Sequence, residues 1–176
     1  MIIKTIEEFC IQNNESLNVA RVAWVGGRNM RHFQRAFTQL QRLLTHIGVG
    51  RVVLDLNALP DVPVYDQLWL STTFMPALIK LPLRQMVVVL TGQRIYNQHV
   101  LEGLLAAVAK TIPFDVQFFA NAEAAMAWLT DDSAQLPTLF TEWSSGCGSV
   151  CQSPSEVAEP RAGYQRRTPA NCQPGS

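Results

Sequence analysis

VVLDL (Val52–Leu56), MVVVL (Met86–Leu90) and FDVQFF (Phe114–Phe119) are the stretches whose reading decides the fold. Each is short, mostly apolar and rich in β-branched or aromatic side chains, so each reads as a strand buried on both faces. Between them lie segments long enough for a crossover helix. That succession predicts a parallel sheet with helices packed on it.

Toward the N-terminus, Glu7–Gln12 and Leu17–Val25 are also β-like, and Asn13-Asn14-Glu15-Ser16 between them is turn chemistry, which predicts an antiparallel hairpin. Gly26-Gly27 ends the second of these strands. Its surroundings match neither G-x-G-x-x-G nor the Walker pattern, so it reads as a strand-to-helix turn rather than a phosphate loop. A helix follows to about Ile47, with Phe33, Ala36, Phe37, Leu40, Leu43, Leu44 and Ile47 on one arc and Gly48 as its C-cap.

Toward the C-terminus, a proline-bearing loop (Leu59–Pro63) leads into a helical region from about Val64 to Lys80, which Pro76 kinks or divides. A further helix spans about Ile95 to Lys110, and Asn121 is the N-cap of a last one ending near Leu129. The expected architecture is α/β: a mixed sheet of about five strands, an N-terminal hairpin followed by mainly parallel strands, and about four helices. After Asp131-Asp132 the character changes. Five of the ten prolines fall there among Ser, Gly and Gln. With so little apolar surface to offset the cost of ordering, the domain reads as 1–131 and residues 132–176 as a largely disordered tail. Within that tail, LPTLFTEW (Leu136–Trp143) could dock on the domain or bind a partner.

Composition narrows the function classes. Of the 176 residues, 48% are hydrophobic, which is a globular value, and formal net charge is zero. No global field therefore attracts nucleic acid. Glu7 and Glu8 interrupt the N-terminal segment where a signal peptide needs an apolar core, and no apolar run approaches the roughly eighteen residues of a membrane span. The expected compartment is the cytoplasm. Three of the four cysteines (Cys147, Cys151, Cys172) lie in the tail and only Cys10 in the patterned region, so free thiols are expected rather than a disulfide framework. No metal or other cofactor is expected either, because His32, His46 and His99 lack ligand spacing and Cys147-x-x-x-Cys151 has no second pair.

The order of elements, the strand ending in Asp55, the aromatics Trp69 and Phe74, and the closing Phe118-Phe119, Glu123-Ala124 and Trp128-Leu129 together resemble the STAS domain. The resemblance runs from about Glu7 to Leu129 and is nearest to the stand-alone bacterial SpoIIAA-like branch, which is sometimes grouped with lipid-binding domains. It implies a non-enzymatic, regulatory module that binds a protein partner, often through a phosphoserine switch. The family's switch serine follows the strand that corresponds to Val52–Leu56. Here the residues after Asp55 read LNALPDVPVYDQ, with no Ser or Thr before Ser71, so the switch is not carried over.

Three features could carry binding. Arg28, Arg31, Arg35 and Arg42 fall in one arc opposite Phe33 and Leu40, with no Asp or Glu between Glu15 and Asp55 to pair them. Such a stripe could hold an acidic partner or simply face solvent. Asp55, at the carboxyl end of a strand, stands where α/β folds gather ligands, or else caps the loop that follows. The helix Ile95–Lys110 is apolar nearly all round. It is buried in the core, lines an apolar pocket with Trp69, Phe74, Leu101 and Leu104, or makes a homodimer interface. A protein partner is the leading expectation, and a small lipid-like ligand the alternative. No G-x-S-x-G elbow or other catalytic constellation marks an enzyme.

Overall fold

A computed structural model describes residues 1–148. Six strands form one mixed sheet in strictly sequential order: β1 (Ile2–Ile3), β2 (Phe9–Asn14), β3 (Val19–Trp24), β4 (Arg51–Asp55), β5 (Gln85–Val89) and β6 (Asp115–Phe119). The first two pairings are antiparallel and the remaining three parallel. The α/β sheet with a leading hairpin is thus present, with one more strand than expected. Ile2 and Ile3 are too short a run to show any period, yet they pair with Ile11 and Gln12.

The hairpin turn sits later than the sequence suggested. Asn13 and Asn14 continue the ladder opposite Ala20 and Val19. The Asn14 side chain then accepts from the Leu17 N–H and the Ser16 hydroxyl, and Asn18 takes the left-handed conformation that closes the turn.

Because the strand order steps one way, the crossovers place their helices on one face. These are α1 (Phe33–Ile47), a bent body made of α2 (Val64–Trp69), a π-helical turn (Leu70–Phe74) and α3 (Met75–Leu78), and α4 (Ile95–Val108). The core on this side joins Ala20, Val22, Val52, Leu54, Met86 and Val88 of the sheet to Phe33, Phe37, Leu40 and Leu44 of α1. Burying each larger apolar side chain contributes about 1.5–3 kcal/mol, so α1 is held by packing. Its first turn starts at Phe33 without a side-chain cap, and Gly48 ends it with φ of 63°. Gly26 is required by proximity instead: a Cβ there would lie 2.8 Å from the Trp24 ring. Pro76 stands in the first turn of α3, after the wide turn, so the helical region is divided where its missing N–H predicts.

The other face is covered by α5 (Ala122–Leu129), which Asn121 caps by accepting from the Ala124 N–H, and by α6 (Leu136–Cys147). Val53, Val87 and Val89 pack there against Ala125, Met126, Leu136 and Leu139. Helix α6 corrects the boundary drawn at residue 131. Leu136, Leu139, Trp143 and Cys147 recur at helical spacing and are all buried, while Pro137 occupies the first turn, where its lack of an N–H does no harm. LPTLFTEW therefore docks on its own domain. Cys147 is not a free thiol but is disulfide-bonded to Cys10 of β2, with Cα atoms 6.0 Å apart. The expectations for Cys151, Cys172 and the rest of the tail lie outside the described residues.

Candidate functional site

In each parallel unit the helix that follows a strand starts above that strand's carboxyl end. The first turns of α1, α2 and α4 therefore gather on one rim of the sheet, and this rim carries five of the large exposed apolar side chains. Val64, Tyr65 and Leu68 of α2 are 76%, 75% and 62% exposed, and Ile95 and Tyr96 of α4 are 59% and 45% exposed. A monomeric domain usually scatters such residues singly. Here the Gln67 amide donates to the Tyr96 hydroxyl at 2.8 Å, which joins the two helices at the patch.

The loop between β4 and α2 is fastened from α4. Asn97, 1% exposed, accepts from the Val62 N–H and donates to the carbonyls of Leu59 and Pro60. The Gln67 amide and the Tyr96 hydroxyl both donate to the Val62 carbonyl. Asn57 closes the loop at its other end, accepting from the Thr91 N–H while its carbonyl accepts from Arg94 Nε. Asp55 serves the same loop. Its carboxylate accepts from the backbone N–H and the side-chain amide of Asn57, which is the capping role open to it in the sequence. Burial pushes the Asp55 pKa upward, against the lowering from the Asn57 bonds and the Arg21 charge.

The arginines do not form one helical stripe. Helix α1 begins at Phe33, so Arg28 and Arg31 stand in the exposed segment before it, on the same rim as the patch. Arg35 and Arg42 are exposed on α1, and Arg35 lines a polar cleft shared with Glu7, Glu8 and His32. Distance in sequence concealed those two acids.

Under the rim lies a cavity of about 60 Å³ enclosed by α1, the bent helix, α4 and the sheet. Its walls include Phe74, Leu101 and Leu104, as the sequence suggested, together with Phe37, Val52 and Met86. Trp69 is not on the wall; it packs on Phe33 and Phe74, ring centroids 6.2 and 5.9 Å away. Despite its apolar composition, α4 is not a core helix. Asn97 is its sole buried residue, and Leu101, Leu104, Leu105 and Val108 are only partly covered.

On the opposite face, Arg21 of β3 is buried beneath α6. It lies 3.3 Å from the Glu123 carboxylate and stacks 4.1 Å above the Trp143 ring. Among the described residues, no three His, Cys, Asp or Glu side chains come together as metal ligands would, and no helix is long and apolar enough to cross a membrane.

Sequence reasoning missed the patch and its Asn97 brace. VYDQLW carried a usable signal, since Val64 and Leu68 are one turn apart and Tyr65 is adjacent, but nothing in it says that this face points outward. Asn97 within an apolar helix was the other signal, because a buried amide needs partners. Comparison with known families, with curated proteins and with solved structures finds no match for this chain.

Proposed function

We propose that this chain is a STAS-like, non-catalytic module that binds a protein partner through the rim formed by α2 and the first turn of α4. The observation that carries the reading is the cluster Val64, Tyr65, Leu68, Ile95 and Tyr96, exposed on a support braced by the Gln67 and Asn97 hydrogen bonds. Pre-organised apolar and aromatic groups of this kind are what interface centres are made of, because little ordering entropy is lost on docking. Arg28 and Arg31 on the same rim add positive charge, so the partner surface is apolar with acidic flanks. The element order, with the loop after Asp55 at the centre of this rim, supports the family reading; the missing serine argues that binding is not switched there by phosphorylation.

The test is site-specific photo-crosslinking in cells. A crosslinker at position 65 should capture a discrete partner, and one at Lys110, away from the rim, should not. Leu68→Lys should abolish capture without changing the thermal melting point. Capture that is equal from both positions, or that survives Leu68→Lys, removes the rim from consideration.

A second reading rests on the cavity. A lipid-like ligand could enter between α2 and α4, but about 60 Å³ is well below the roughly 150 Å³ that holds benzene in an engineered cavity, so α4 would have to move outward. Native mass spectrometry of freshly purified protein tests this, and a clean apo mass after exposure to mixed lipid extract counts against it.

A further inference from the structure

We propose that the edge strand β6 pairs antiparallel with β6 of a second copy about a two-fold axis through Gln117, giving a homodimer with one continuous sheet. The hydrogen-bonding register leads there. Asp115 donates its N–H to the Arg84 carbonyl, and the Phe119 carbonyl accepts from the Leu90 N–H, so residues 115, 117 and 119 direct their backbone groups toward β5. By alternation, Val116 and Phe118 direct theirs away from the sheet. No seventh strand covers that edge among the described residues.

Placing the axis at Gln117 sets Val116 opposite Phe118 of the second copy, and Phe118 opposite its Val116. Both become hydrogen-bonded pairs, so four backbone bonds form between identical groups. Gln117 then faces its own copy across a non-hydrogen-bonded position. The side chains fit the same axis. Val116 and Phe118 share the α4 face, so apolar meets apolar there, while Asp115 meets Phe119 and no like charges stand opposite one another.

The flanks of the edge also carry apolar rings that the described residues leave exposed. Phe118 is 38% exposed, and Trp128 of α5, 44% exposed, lies 5.6 Å from the Phe119 ring on the other face. Beside the edge, the outer side of α4 exposes Gly103, Ala106 and Ala107, small enough to let a second α4 approach closely. Stable dimers bury about 800 Å² per partner, more than a five-residue ribbon supplies alone. The rings and the α4 surface provide the rest. An edge that no described residue covers and that bears aromatics otherwise invites open-ended association, and a two-fold pairing closes it.

The experiment uses the full chain. Light scattering at tens of micromolar should give twice the 19.6 kDa chain mass. Phe118→Pro removes one outward N–H and one ring but no bond to β5, so it should yield a monomer with the wild-type circular dichroism spectrum. Independently, with Cys151 and Cys172 replaced by Ser, Gln117→Cys should cross-link to its own copy on mild oxidation, and Asp115→Cys should not. A monomer at all concentrations overturns the proposal, as does a dimer that survives Phe118→Pro, or cross-linking at position 115 as efficient as at 117. A chain that dimerises only after residues 149–176 are deleted also overturns it, because the tail would then be the occupant of the edge.

Discussion

The disulfide between Cys10 and Cys147 ties β2 to the last turn of α6 across 137 residues of chain. It is the covalent tie of a layer that otherwise rests on Leu136, Leu139 and Trp143, on hydrogen bonds from the Gln12 amide to the Leu139 carbonyl and the Glu142 carboxylate, and on the Met1 amine beside Glu142. A loop of this length removes much entropy from the unfolded chain. Loss of the bond should cost about 4–5 kcal/mol on the chain-entropy account, with smaller values where the unfolded state keeps structure. Urea unfolding of the wild type with and without a dithiol, beside Cys10→Ala/Cys147→Ala, checks this. Equal midpoints would show that the bond contributes nothing. In a reducing compartment the pair would be two buried thiols, and α6 would be the first helix to loosen.

Asn97 should be the most sensitive position on the rim. Replacing it with Leu leaves the Val62 N–H and the Leu59 and Pro60 carbonyls without their partners inside a buried loop. Each orphaned group costs about 1–3 kcal/mol, and water entering the loop offsets part of that, so a loss of about 2–4 kcal/mol is expected. Hydrogen exchange at Val62 should accelerate by orders of magnitude while amides in β3 and β4 change only with global stability. Unchanged protection at Val62 would mean that the loop does not depend on this brace.

How far the sequence revealed this molecule depended on whether the signal was local. Helix α1 was legible because its apolar arc meets a single flat sheet, and Gly48 and Asn121 were legible because capping is settled within one turn. Helix α6 was hidden by composition: Pro137, the serines and Gly146 read as chain breakers, although Leu136, Leu139, Trp143 and Cys147 held the period. The pairing of Cys10 with Cys147 depends on α6 crossing back to the β1–β2 end of the sheet, which no spacing encodes. The candidate site was less legible than the fold. An apolar α4 suggested a core, but its place beside the last strand leaves half of it in solvent, and that depends on sheet order alone.

The cavity gives a prediction about packing. Val52 of β4 is 2% exposed and lines the void, so Val52→Ile directs one added methyl group into empty space. Filling it should stabilise the domain by up to about 0.8 kcal/mol, the value of one buried methylene. A destabilisation of 1 kcal/mol or more would show that the walls cannot accept the group. The same variant should weaken binding of any small apolar ligand if the cavity is where one sits.

Asp55 makes stability depend on pH in a direction opposite to most carboxylates. Burial raises its folded pKa above the ordinary value of 3.8, so the folded chain holds this proton more tightly than the unfolded chain. Its contribution is therefore most favourable below the unfolded value and is lost as pH rises through the raised folded value; at neutral pH the ionised carboxylate destabilises the domain. Glu142 runs the other way. Its hydrogen bonds to the Met1 amine and to Gln12 lower its pKa, so its contribution is present above the ordinary 4.5 and is lost as pH falls through the lowered folded value. Comparing wild type with Asp55→Asn isolates the first effect. Asn keeps an acceptor for the Asn57 N–H without the buried charge, so the variant should be the more stable at pH 7. That advantage should shrink as pH falls below the folded pKa of Asp55 and level off near pH 3. Chemical denaturation across this range gives the difference at each pH. A constant difference, or a wild type more stable at pH 7, would show that the Asn57 and Arg21 interactions outweigh burial.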